Sequence, residues 1–132
     1  MSGKCNALLM ADRVIREDNG KRAIIGSFNT FHFPAFPAVA PPFFVYANLE
    51  DFSGEHEFSV NIVREGVDLV VFSIGGEIRF SAENNETELV VPVAGVTFPK
   101  EGNYNLFLKV GNNPMGSRRI IVKAAQPQIG GA

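Results

Sequence analysis

Residues 28–44 read FNTFHFPAFPAVAPPFF, and this stretch decides how the rest of the chain is organised. It holds Phe28, Phe31, Phe33, Phe36, Phe43 and Phe44, half of the twelve phenylalanines, with Pro34, Pro37, Pro41 and Pro42, half of the eight prolines. No helix runs through such a segment, because each proline lacks an N–H and restricts the residue before it. Composition excludes a disordered linker, since linkers are poor in aromatics. What remains is a rigid apolar crossing between two layers of structure.

On both sides of the crossing the sequence alternates with the period of strands. Upstream, residues 5–17 lead into Asp18-Asn19-Gly20-Lys21, whose Asn-Gly pair predicts a type I′ hairpin turn. The return strand runs over 22–31, with Gly26 marking a bulge or a close backbone approach. Downstream, residues 43–52 place Phe43, Val45, Ala47 and Leu49 on one face, then Ser53-Gly54 turns the chain. Residues 55–65 put His56, Phe58, Val60 and Ile62 on one side and Glu57, Ser59 and Asn61 on the other. Gly66 reverses the chain into a β-branched run over 67–74. Gly75-Gly76 predicts a turn or bulge before a strand over 77–82, and residues 83–86 a polar loop.

A strand over 87–98 bends at Pro92 and Gly95, which suits a sheet edge. Tyr104, Leu106, Leu108 and Val110 then alternate with Asn105, Phe107 and Lys109; residues 111–117 read as a loop and 118–123 as the last strand. The expectation is an all-β, single-domain sandwich of about eight mostly antiparallel strands, immunoglobulin-like or Greek-key, over 1–124, with a flexible tail over 125–132.

At 132 residues the chain suits one domain that buries roughly two-thirds of its unfolded surface. The formal charge of -2 and the scattered Lys and Arg residues argue against nucleic acid or anionic membrane as a partner. Cys5 is the one cysteine, so an intramolecular disulfide and a zinc site built on paired thiolates are both excluded. The apolar run over 7–10 is too short for a secretory or membrane-spanning segment. These features place the chain in the cytoplasm.

Two resemblances enter at particular residues. Gly102-Asn103-Tyr104, entering an alternating strand that is followed by a final β-branched strand, resembles the closing hairpin of immunoglobulin-like sandwiches; the resemblance implies that the tyrosine hydroxyl caps a nearby backbone group. Ala11-Asp12, Gly20-Lys21, Ile25-Gly26-Ser27-Phe28, Phe36-Pro37-Ala38 and Gly102-x-Tyr104 together resemble a family of small bacterial proteins of unknown function. That likeness implies a fold and no chemistry.

Candidate chemistry is sparse. His32 lies between two phenylalanines and His56 shares a face with Phe58, which is the setting of packed histidines rather than of catalysts. Glu55-His56-Glu57 has the look of a ligand cluster, but strand geometry turns His56 away from the glutamates. The loop acids Glu50, Asp51, Asp68, Glu83 and Glu86 lack calcium-loop spacing. Residues 111–119 contain glycines and two arginines but neither a P-loop ending nor a following helix. Pro34-Ala35-Phe36-Pro37 is a P-x-x-P without a flanking cation.

The expectation is therefore a non-enzymatic protein-interaction or assembly module without a cofactor, its partner another protein or a second copy of itself. Phe33, Phe36, Pro37, Phe44 and Tyr46 are the candidate contact surface, with Phe44 and Tyr46 facing outward. The alternative is a small-ligand or carbohydrate-binding sandwich using Tyr46, Phe44, Asn48 and Glu50. An enzyme dependent on His32 or His56 stands third.

Overall fold

The computed structural model describes residues 3–80 and 86–125. The expected strand end at 81–82, all but the last residue of the expected polar loop over 83–86, and the tail from residue 126 lie outside the described residues. Eleven strands and no helix are formed among the described residues: β1 Lys4–Arg16, β2 Arg22–Phe28, β3 Thr30–Phe33, β4 Ala38–Val39, β5 Phe43–Glu50, β6 Gly54–Arg64, β7 Leu69–Phe80, β8 Glu86–Val93, β9 Thr97–Phe98, β10 Gly102–Val110 and β11 Asn113–Ala124.

They make a four-stranded sheet in the order β2-β1-β5-β8, a five-stranded sheet in the order β3-β11-β10-β6-β7, and a short β4-β9 pair. All pairings are antiparallel except β3 with β11. The sheets pack through alternate residues: Val45, Ala47 and Leu49 from β5 meet Val60 and Ile62 from β6, Leu106 and Leu108 from β10, and Ile120 and Val122 from β11. One side of the sandwich is tight. A Cβ placed on Gly116 of β11 would lie 3.3 Å from Leu8 of β1. The opposite side, between β7 and β8, is open.

The phenylalanine-proline stretch crosses between the layers twice. The chain leaves the first sheet at Phe28, enters the second at Thr30, and returns to the first at Phe43. Its rings close one end of the sandwich together with Phe98 of β9 and Tyr104 of β10: Phe31 stacks on Phe33 at 5.6 Å, Phe28 meets Phe43 edge-on, and Phe98 stands edge-on to Tyr104 at 4.9 Å. Each such buried ring contributes roughly 1.5–3 kcal/mol. Tyr104 is fully buried, and its hydroxyl donates to the Lys100 carbonyl at 2.7 Å, the backbone cap of a tyrosine corner.

Four local expectations are corrected. The β1–β2 turn is not type I′, because Gly20 has a φ of 87° while Asn19 keeps a negative one. Gly20 N–H donates to the Glu17 carbonyl and Glu17 N–H to that of Lys21, so this is a three-residue loop with the glycine closing a bulge. The predicted strand over 22–31 is two strands, divided where the chain changes sheet. Gly75 and Gly76 neither turn nor break β7. Gly76 lies opposite Phe58, where a Cβ would come 3.0 Å from the ring, so the glycine makes room for an aromatic neighbour. Finally, residues 113–117 belong to β11 rather than to a loop, pairing with β10 through a register shift at Leu108/Lys109.

Candidate functional site

The predicted contact residues do not stay together. Phe33 is buried at 8% exposure against Phe31 and Phe98, so it is core rather than contact surface. Phe36 packs half-buried against Phe33, and Pro37, which follows a cis peptide bond, is exposed at the same end. Phe44 and Tyr46 do lie on the outer face of the first sheet, as alternation requires. Tyr46, however, is only 7% exposed.

The cover over Tyr46 comes from the β1–β2 hairpin. β1 is longer than its pairing with β5, so the hairpin extends past the sheet. Arg22, near its tip, brings Nε to 3.6 Å from the Glu88 carboxylate on β8, two strands from β1. The hairpin therefore folds back across the outer face. Tyr46 donates to the other oxygen of Glu88 at 2.5 Å. Burial, reinforced by that hydrogen bond, pushes its hydroxyl up to about 12. Such a phenol is a neutral structural clamp, unsuited to act as a base near neutrality. Asn48 and Glu50, the polar groups of the sugar-binding alternative, both accept from Asn6 Nδ2, at 2.9 and 2.7 Å.

The histidines are also apart. His32 is exposed on β3, and His56 on β6 lies three strands away at the opposite end of the sheet. His56 points toward Phe52 and Phe80, with Nε2 2.8 Å from the Ser53 carbonyl. Glu55 and Glu57 face outward; Glu55 pairs with Arg79 at 2.8 Å, while Glu57 stands opposite Glu77. Burial raises the Cys5 thiol above its ordinary value, which makes it a poor nucleophile. Among the described residues, no three His, Cys, Asp or Glu side chains gather to hold a metal ion.

The site that does take shape is on the open side of the sandwich. Phe72 and Ile74 of β7 face inward, as does Val93 of β8, while Phe44 of β5 and its cross-strand partner Pro92 of β8 reach the same opening from the outer face of the first sheet. With Pro42, Phe43, Ser73 and Ala94 they line an open apolar groove of about 410 Å³. A smaller cavity of about 230 Å³, floored by Phe28, Phe31 and Phe43 and bordered by Asp12, lies on the other flank of Pro42. Of the predicted contact residues, only Phe44 reaches the groove.

The groove borders a sheet edge. β7 is the last strand of its sheet, and among the described residues no strand pairs with its outer side. Edge strands ordinarily carry charges or prolines that discourage further pairing. β8 has Glu86, Glu88 and Pro92, and β2 has Arg22 at its start; β7 carries Glu77 and Arg79 in its last third, but from Leu69 to Gly76 it has neither charge nor proline. Val67, Leu69 and Val70 at its start are 64%, 47% and 53% exposed. The β-branched run is plain in the sequence; the absence of a charge or proline from Leu69 to Gly76 is the further signal that marks this part of the edge.

Comparison with known proteins adds a family and no activity. Over residues 6–123 the chain matches the family of unknown function DUF6941, and it belongs to that family. No curated protein matches it. Among solved structures it is similar to a β-glucosidase from Listeria innocua in complex with isofagomine, at 7% identity and a TM-score of 0.47. That likeness covers 89% of this chain and 16% of the enzyme.

Proposed function

We propose that this member of the DUF6941 family is a non-catalytic protein-interaction module of the cytoplasm, built on an immunoglobulin-like sandwich, that binds an extended polypeptide segment as an added strand on β7. The observation that carries the reading is the conjunction of an unguarded edge over Leu69–Gly76 with the apolar groove beside it. Main-chain hydrogen bonds to the edge supply affinity, and pockets for alternate side chains supply selectivity. In strand geometry every second side chain of the added segment faces the groove.

The composition of the groove favours peptide over sugar. Its side chains offer one hydroxyl, that of Ser73, whose O–H already donates to Asn61 Oδ1 at 2.6 Å. A sugar ring requires several fixed polar partners, and a row of apolar side chains requires none.

Selection of random nine-residue peptides from a displayed library tests this. Wild-type protein is expected to retain a set of related sequences that Ile74→Lys, folded by circular dichroism, releases. Retention of the same peptides by that variant moves the contact elsewhere; no retention by wild type removes the reading.

A further inference from the structure

The outer face of β7 carries an electrostatic asymmetry that the groove does not explain. Glu57 on β6 and Glu77 on β7 stand directly opposite one another, an arrangement of like charges that destabilises an antiparallel pair. At the next pair on the same face, Glu55 and Arg79 form the opposite-charge contact that such positions normally hold. Neither Glu57 nor Glu77 makes an ion pair among the described residues.

Between the two carboxylates and the bare backbone of Gly75 and Gly76 there is an open cavity of about 330 Å³, closed on one side by Phe58. Two glycines at the sheet edge leave room for a long aliphatic stem from a neighbouring strand, and the carboxylates provide for a cationic end. What is missing from this face is a lysine or arginine on the next strand outward.

Resting on the strand-addition reading above, we propose that the segment bound by β7 carries a basic residue opposite Glu77 and apolar residues opposite Phe72 and Ile74. The spacing follows from the strand. Phe72 and Ile74 face the groove, while Glu77 faces out, three residues beyond Ile74. The partner therefore presents apolar-x-apolar-x-x-Lys/Arg if it runs parallel to β7, and the reverse order if antiparallel. The basic side chain falls on the face opposite the two apolar ones, as the period of two requires.

Charge also disfavours a second copy paired through the apolar run. When β7 pairs with its own symmetry mate about the centre of the apolar run, Glu77 of one copy lies beside Asp68 of the other at both ends. Such a dimer adds carboxylates where the edge already has them unpaired. A partner strand with a cation relieves the Glu57/Glu77 pair instead.

The test uses the full chain and the same library of random nine-residue peptides. Retained peptides are sequenced, synthesised, and titrated against wild type, Ile74→Lys and Glu57→Gln/Glu77→Gln. The expected result is the spacing above, with affinity about two- to fivefold lower for the double glutamine variant and falling with added salt for wild type alone. Peptides that bind wild type and are lost with Ile74→Lys, but lack a basic residue and ignore the double substitution, overturn this inference and leave strand addition standing. An empty selection overturns both. A wild-type dimer in sedimentation equilibrium that Ile74→Lys dissociates assigns the edge to a second copy, and that also overturns the proposal.

Discussion

Replacing Tyr46 with phenylalanine removes a single hydroxyl and tests whether the β1–β2 hairpin is clamped over the first sheet as described. The phenol donates to Glu88, which also faces Arg22 of the hairpin. A hydrogen bond to a charged acceptor is worth about 1.5–3 kcal/mol. Glu88 is partly open to water, so the expected loss at pH 7 is ~1–2 kcal/mol. The pH dependence is more diagnostic. The hydroxyl moves from 10.0 in the unfolded chain to about 12 in the folded one, so folding favours its neutral form. That contribution is complete below pH 10 and is lost as pH rises from 10 to 12. At about 1.4 kcal/mol for each tenfold change in proton affinity, ~2 kcal/mol disappears by about pH 11.5. Urea denaturation of wild type and variant at a series of pH values from 7 to about 11.5 isolates this effect, because other titrating groups cancel in the difference. The gap should hold from pH 7 to about 9.5 and close above it. A gap that stays constant to the top of the range refutes the clamp.

Substitutions at three further positions probe the frame. Phe98→Ala empties a fully buried site among Phe31, Phe33 and Tyr104 and should cost about 3–5 kcal/mol, a large share of a domain's stability, read as a fall in urea midpoint. Tyr104→Phe keeps the ring and leaves the Lys100 carbonyl without its donor, so the loss should be only about 1 kcal/mol by the same measurement. Gly20→Ala meets no neighbour within 4 Å, and its cost of about 1 kcal/mol in thermal unfolding comes from the positive φ alone; Gly20→Asn should recover part of it.

The fold was legible because period-two alternation specifies both a strand and the face it buries. Val60, Ile62, Leu106 and Leu108 fall on the inner faces where their spacing puts them. Pro92 likewise marks an edge, since a proline cannot donate to a central ladder. The misreadings came from residues whose role depends on a distant neighbour. Gly75-Gly76 resembles punctuation until Phe58 is seen beside it, and Tyr46 looks exposed until the hairpin crosses it. Half of the phenylalanines in one short stretch suggested a sticky surface. In three dimensions most of those rings are the plug at one end of the core, because the stretch crosses between the sheets and its rings point into the gap. The groove was hidden for a related reason: Phe44, Phe72 and Pro92 come from three strands, and no local pattern joins them.

Backbone amide hydrogen exchange over residues 69–76 tests the central claim most directly. In the free protein, amides of β7 that bond to β6 should be protected, and the alternate amides that point away from the sheet should exchange as open peptide. Adding a selected peptide with the apolar-x-apolar-x-x-Lys/Arg spacing should then protect that second set. Outward amides already protected in the free protein, or left open while the peptide is bound, would contradict the account.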